Sequence, residues 1–124
     1  MRAIVTGAAR GIGRAICLRL ARDAQATGGA KLVLSDQHAD ELKSLISEIQ
    51  SLGGQAIAVP GDISDPALPA TIIHAAETFG GLDALVSNAG FAIPGPLATY
   101  DLDNWNKVFA VHVRAPWLLA KSAY

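Results

Sequence analysis

Thr6-Gly7-Ala8-Ala9-Arg10-Gly11-Ile12-Gly13 follows the apolar run Ala3-Ile4-Val5 and leads directly into a segment with helical periodicity. A strand that ends in a turn and opens a helix leaves backbone N–H groups without intrahelical partners, beside the positive end of the helix dipole. Such a junction suits an anion, a phosphate above all. Gly7 permits a tight, left-handed turn. Gly11 and Gly13 remove the Cβ atoms that would hold a diphosphate off the backbone and the helix off the strand. The spacing Gly7-x3-Gly11-x-Gly13 is not G-x-G-x-x-G, because Ile16 stands where that pattern has its last glycine. A dinucleotide is the leading ligand for this turn, and another anion-binding or structural role is the alternative.

Outward from the turn, short apolar runs alternate with helix-period segments to the end of the chain, the pattern of repeated βαβ units on a parallel sheet. Strands are expected over residues 2–6, 31–35, 55–59 and 82–87, each apolar enough to be covered on both faces. Ile12, Ile16 and Leu20 form one apolar helical stripe, and Leu42, Leu45, Ile46 and Ile49 a second. A third helix is expected from Asp65-Pro66, an N-cap followed by proline, with Leu68, Ile72, Ala75, Ala76 and Phe79 inward and Gly80-Gly81 as its stop. A fourth is expected over about 103–122, packing Trp105, Val108, Phe109 and His112, with Pro116 kinking it or sitting where a lost hydrogen bond is tolerated. The long connection from Asp23 to Ala30, with its flexible Thr27-Gly28-Gly29, reads as a surface insertion without chemistry.

Right-handed crossovers give the strand order 3-2-1-4, an α/β, doubly wound parallel sheet whose chain reverses direction between strands 1 and 4. Ligands bind at that switch point, beyond the carboxyl ends of the strands. Polar residues stand at each of those ends: Thr6-Gly7, Asp36, Gly61-Asp62 and Asn88-Ala89-Gly90.

The 124 residues fit one domain, 1–124, but are few for a complete dinucleotide-dependent enzyme. With 10 Lys+Arg against 11 Asp+Glu and no block of like charge, nucleic acid is not an expected partner. The single cysteine, Cys17, cannot form an intramolecular disulfide and reads as a small core residue. No charged leader or long apolar segment precedes the first strand, so a cytoplasmic protein with no signal peptide or membrane partner is expected.

The pattern Thr6-Gly7-x3-Gly11-x-Gly13, with Asp62-Ile63 and Asn88-Ala89-Gly90 at later strand ends, resembles the short-chain dehydrogenase/reductase family over essentially the whole chain. The resemblance implies a Rossmann-type fold and an NAD(P)-dependent oxidoreductase that moves hydride between a nicotinamide and a small alcohol or carbonyl substrate. It places Gly7, Arg10, Gly11, Ile12 and Gly13 at the cofactor, and assigns the adenine to Asp62 and Ile63. Asn88, Ala89 and Gly90 then brace the sheet and line the trough. Asp36, at the end of the second strand, can accept both ribose hydroxyls and repel a 2′-phosphate, which favours NAD over NADP. Arg10 and His38 remain possible phosphate acceptors. Competing readings make Asp36 a solvated helix-capping residue, Asp62 part of the helix-start cluster Asp62-Ile63-Ser64-Asp65, and Asn88-x-Gly90 a generic turn.

The family's proton relay uses a serine and a Tyr-x3-Lys pair, and neither tyrosine here supplies it. Tyr100 is followed four residues later by Asn104, and Tyr124 is the last residue. The resemblance therefore implies an incomplete Rossmann sheet, the cofactor-binding half of such an enzyme, inactive alone. In Val111-His112-Val113-Arg114-Ala115, His112 takes the slot of the family's helix asparagine, either to hold a catalytic water or as a satisfied core residue. Family members assemble as dimers or tetramers, so a homo-oligomer is expected. The alternative function is a non-catalytic dinucleotide-binding or oligomerisation module. A receiver domain lacks support without an acidic cluster at strand 1, and a methyltransferase has no use for a phosphate cradle.

Overall fold

The computed structural model describes residues 1–124. Four parallel strands, β1 (Arg2–Thr6), β2 (Lys31–Asp36), β3 (Gln55–Pro60) and β4 (Ala84–Val86), lie in the expected order β3-β2-β1-β4. Ala3 pairs with Leu32 and Ala84, and Leu32 with Ala56. Because side chains alternate across a strand, the two faces collect different cores. Ala3, Val5, Leu32 and Leu34 pack against α1 (Gly11–Asp23) and α2 (Ala39–Ser51). Ile4, Val33 and Val59 pack against α3 (Leu68–Glu77) and α5 (Ala115–Ala123) through Ile72, Ile73, Ala76 and Leu119. No helix is long and apolar enough to cross a membrane.

α1 lies on the sheet through Gly13, Cys17 and Ala21, one residue round from the expected Ile12, Ile16 and Leu20 stripe. Ile12 is 72% exposed, while Ile16 and Leu20 flank the core. The cause is close approach. A Cβ on Gly13 would stand 2.0 Å from the Gly7 carbonyl oxygen, so small residues face the sheet and the branched ones are displaced to the sides. The α2 stripe is as read from the sequence, with Leu42, Leu45 and Ile49 buried.

Other elements depart from expectation for local reasons. α3 starts at Leu68, not at Asp65-Pro66, because the Asp65 side chain accepts from the Ala67 N–H (2.9 Å) and holds a turn there, leaving Pro69 in the first helical turn. β4 is shorter than 82–87, since beyond Val86 the N–H groups of Asn88 and Ala89 donate to the Thr6 hydroxyl rather than to the ladder. The 27–29 loop is not a free insertion: a Cβ on Gly29, at φ +84°, would meet the Gly53 carbonyl at 2.2 Å.

The expected fourth helix comes in three pieces: α4 (Leu102–Phe109), a π turn (Ala110–Arg114) and α5. The π turn ends two residues before Pro116, which sits in the first turn of α5 and has no N–H for a regular helical bond. Only Val111, Ala115 and Leu119 are buried along this helix. Trp105, Phe109 and His112, expected inward, are exposed: α4 makes no substantial contact with the sheet, and in the π turn that continues it only Val111 is buried. Trp105 and Phe109 stack on each other, with ring centroids 3.8 Å apart.

Arg2 ties the start of β1 to the entry of β4: its backbone N–H and guanidinium both donate to the Asp83 carboxylate. The hydrogen bonds from Arg2 push the Asp83 carboxyl down to about 2. A carboxyl depressed on folding adds stability above its ordinary value of 3.8 that is lost as pH falls through the folded value. Thermal melts of Asp83→Asn are therefore expected to lie below wild type at pH 7 and to converge with it near pH 2. An unchanged gap at pH 2 would contradict this. Gly13→Ala is expected to cost about 3 kcal/mol or more in urea unfolding, since the added carbon meets backbone that cannot yield cheaply.

Candidate functional site

A cleft of about 960 Å³ opens at the carboxyl ends of the strands. Ten of the twelve site residues read from the sequence line it: Gly7, Arg10, Gly11, Ile12, Asp36, Asp62, Ile63, Asn88, Ala89 and Gly90. Gly13 lies beneath the turn, where it sets the helix approach. His112 sits just outside, against the loop that follows β4. Gln37, Lys107 and Val111 also line the cleft and were not anticipated. The four-residue spacing of Lys107 and Val111, which puts them on one helix face, was the signal available.

The glycine-rich turn is built so that some of its amides are used internally and others are not. Gly7 (φ +64°) and Gly11 (φ +52°) adopt left-handed backbone that a side chain would strain. Ala8 N–H donates to the Ser35 carbonyl (3.1 Å), and Ala9 N–H to Asp36 Oδ2 (3.0 Å). The first helical bond is Arg14 N–H to the Arg10 carbonyl, and Arg10 offers no side-chain cap. The N–H groups of Gly11, Ile12 and Gly13 thus have no acceptor within the protein. A Cβ on Gly11 would meet nothing within 4 Å, so the space above the turn is open to an anion of phosphate size.

Asp36 extends from β2 to that turn and is 13% exposed at its side chain. Besides Ala9, its carboxylate accepts from His38 N–H (3.1 Å) and contacts His38 Nδ1 (2.7 Å). Burial by itself pushes its carboxyl up. The hydrogen bonds from His38 and Ala9 outweigh burial, and the net shift is down, so Asp36 is ionised at neutral pH. Arg10 pairs with Glu41 in the first turn of α2, and Arg14 pairs with Glu48 farther along the same two helices.

Asp62 is exposed, and its Oδ1 accepts from Ser64 N–H (2.9 Å), the bond that chiefly lowers its pKa. That bond holds a turn six residues ahead of α3 and is not a helix cap, while the position of Asp62 on the cleft wall leaves adenine contact available. Asn88 is the brace between strand ends. Its Nδ2 donates to the carbonyls of Thr6 (3.1 Å) and Gly7 (3.2 Å), and the buried Thr6 hydroxyl accepts from the N–H groups of Asn88 and Ala89 (3.0 Å each). The sequence marked Thr6 only as part of the turn. Its function here is to lock β4 to β1.

His112 is exposed, which removes the core-residue reading. Its Nε2 stands 3.1 Å from Phe91 N and 2.7 Å from Phe91 O. One ring nitrogen either accepts from the N–H or donates to the carbonyl, so protonation or tautomer decides which bond exists. The ring also lies over Gly90, where a Cβ would come within 2.6 Å of His112 Cε1.

The short chain dehydrogenase family model matches residues 1–124. The chain is 40% identical to the short-chain dehydrogenase/reductase eriH of Hericium erinaceus, covering 98% of this chain and 48% of that protein. It is 37% identical to versicolorin reductase stcU of Emericella nidulans, over 98% of this chain and 45% of the relative. Among solved structures, a short chain dehydrogenase from Burkholderia cenocepacia in complex with NADP aligns with a TM-score of 0.88 at 38% identity, over 98% of this chain and 49% of that one. The chain thus spans about half the length of the relatives it matches. The strand order, the glycine-rich turn and these matches agree: the chain belongs to the short-chain dehydrogenase/reductase family.

Proposed function

We propose that the cleft binds a nicotinamide dinucleotide, NAD in preference to NADP, for hydride transfer with a small alcohol or carbonyl substrate. The observation that carries this reading is one of placement. Three backbone N–H groups without protein acceptors, at Gly11, Ile12 and Gly13, stand beside an ionised, largely buried carboxylate at Asp36. The first group suits a diphosphate, and the second accepts the hydroxyls of an unphosphorylated ribose.

In this reading Gly7, Gly11 and Gly13 keep the backbone close to the diphosphate, and Arg10 and Ile12 flank it. Asp62 and Ile63 border the adenine, while Asn88, Ala89 and Gly90 form the trough wall toward the nicotinamide. His112 positions the Gly90-Phe91 segment. The bound nicotinamide supplies the carbon that takes or gives hydride. The residues above bind it and fix its orientation. A cytoplasmic setting accords with Cys17, fully buried, with its thiol pushed up to about 12 by burial. A homo-oligomer accords with the exposed apolar residues Trp105, Phe109, Val113 and Trp117 along α4 to α5.

A second reading is a dinucleotide-binding or oligomerisation module without catalysis, which the same free amides and the exposed apolar residues of α4 to α5 would also serve. Titration calorimetry is expected to show tighter binding of NADH than of NADPH. Asp36→Ala should weaken NADH about tenfold, the loss of hydrogen bonds to a charged acceptor, and narrow the difference between the two. Tighter NADPH binding, or none of either, would contradict the assignment. The 124-residue chain itself is expected to give no turnover with any alcohol, and measurable turnover would overturn that.

A further inference from the structure

We propose that Glu41 sets the cofactor preference by engaging Arg10 and keeping it from the adenosine 2′ position. The inference rests on the dinucleotide reading above. Arg10 and Lys107 are the only Lys or Arg residues that line the cleft, and Lys107 belongs to α4, whereas Arg10 directly follows Ala9, the residue that donates to Asp36. Arg10 is thus the one strong cation beside the carboxylate assigned to the ribose. Its guanidinium pairs with Glu41 in the first turn of α2, three residues past His38.

The pair couples the glycine-rich turn to the β2–α2 junction, the two segments between which the adenosine ribose would lie. The hydrogen bond from Arg10 holds the Glu41 carboxyl below the usual carboxylate range, so the pair is ionic at neutral pH. Asp36 and Glu41 together bring two negative charges against the one positive charge of Arg10. A 2′-phosphate therefore meets net negative charge and an arginine already in use. With Glu41 neutral, the same arginine becomes available, and the charges at the corner balance.

Stability does not account for the pair. Its side chains are 62% and 38% exposed, and exposed ion pairs contribute little. Arg14 and Glu48 form a parallel pair between the same helices, outside the cleft, and this provides an internal control.

The experiment is calorimetric measurement of Kd for NADH and NADPH on the wild-type protein, Glu41→Gln, the double variant Glu41→Gln/Arg10→Met, and Glu48→Gln, each checked for folding by circular dichroism. Glu41→Gln is expected to tighten NADPH about five- to tenfold, the scale of one exposed charge-assisted hydrogen bond, and to change NADH less than twofold. Adding Arg10→Met should return the NADPH/NADH ratio to wild type, and Glu48→Gln should leave it unaltered. The proposal is overturned if Glu41→Gln leaves the ratio unchanged, if the gain survives Arg10→Met, or if Glu48→Gln produces the same gain. Binding of both dinucleotides with an unchanged ratio removes only the role of Glu41. Binding of neither by wild type removes the dinucleotide reading with it.

Discussion

The contact between Gly13 and the Gly7 carbonyl governs the rest of the molecule. At a would-be Cβ distance of 2.0 Å, helix and turn approach as only glycine allows. That approach brings the first turn of α1 over the end of β1, rotates Cys17 and Ala21 onto the sheet, and turns Ile12 toward the cleft. It also leaves the helix-start amides without internal acceptors at the place where the strand order switches from one side of β1 to the other. Thr6 and Asn88 then fix β4 to this junction by four hydrogen bonds, so both walls of the cleft are referred to the same few backbone atoms.

Around that junction the charged groups are matched rather than scattered. Asp36 is tied to Ala9 and His38, Arg10 to Glu41, and Arg14 to Glu48. The first two connections belong to the cleft, and the third only joins two helices. A carboxylate kept ionised by backbone donors, beside an arginine already neutralised, makes an environment that accepts hydroxyls and disfavours a further anion. The proposed preference for NAD depends on that pairing, because it leaves the corner with net negative charge and no free arginine.

Much of this was legible in the residues themselves. The continuous apolar runs of β1 and β2 declared a sheet buried on both faces, and right-handed crossovers in a doubly wound arrangement led to the order 3-2-1-4. The glycine spacing located the turn, and ten of the twelve site residues meet in one cleft. What failed depended on tertiary contact. The face of α1 was misread because periodicity favours large residues, while backbone approach selected Gly13, Cys17 and Ala21. The start of α3 shifted because Asp65 spent its side chain on a turn instead of a helix cap. Trp105 and Phe109 face outward because α4 does not reach the sheet, and His112 does so beside the buried Val111 of the π turn. Glu41 carried no local signal, since its partner lies 31 residues away in sequence.

The most direct measurement is a titration of the 15N-labelled protein with NADH, followed by backbone amide chemical shifts. If the turn grips a diphosphate while Asp36 holds the ribose, the amides of Gly11, Ile12 and Gly13 shift most, with those of Asp36 and His38 moving at the same ligand concentrations. Shifts confined to another surface, such as the exposed face from Trp105 to Trp117, with the turn unmoved, would contradict the account.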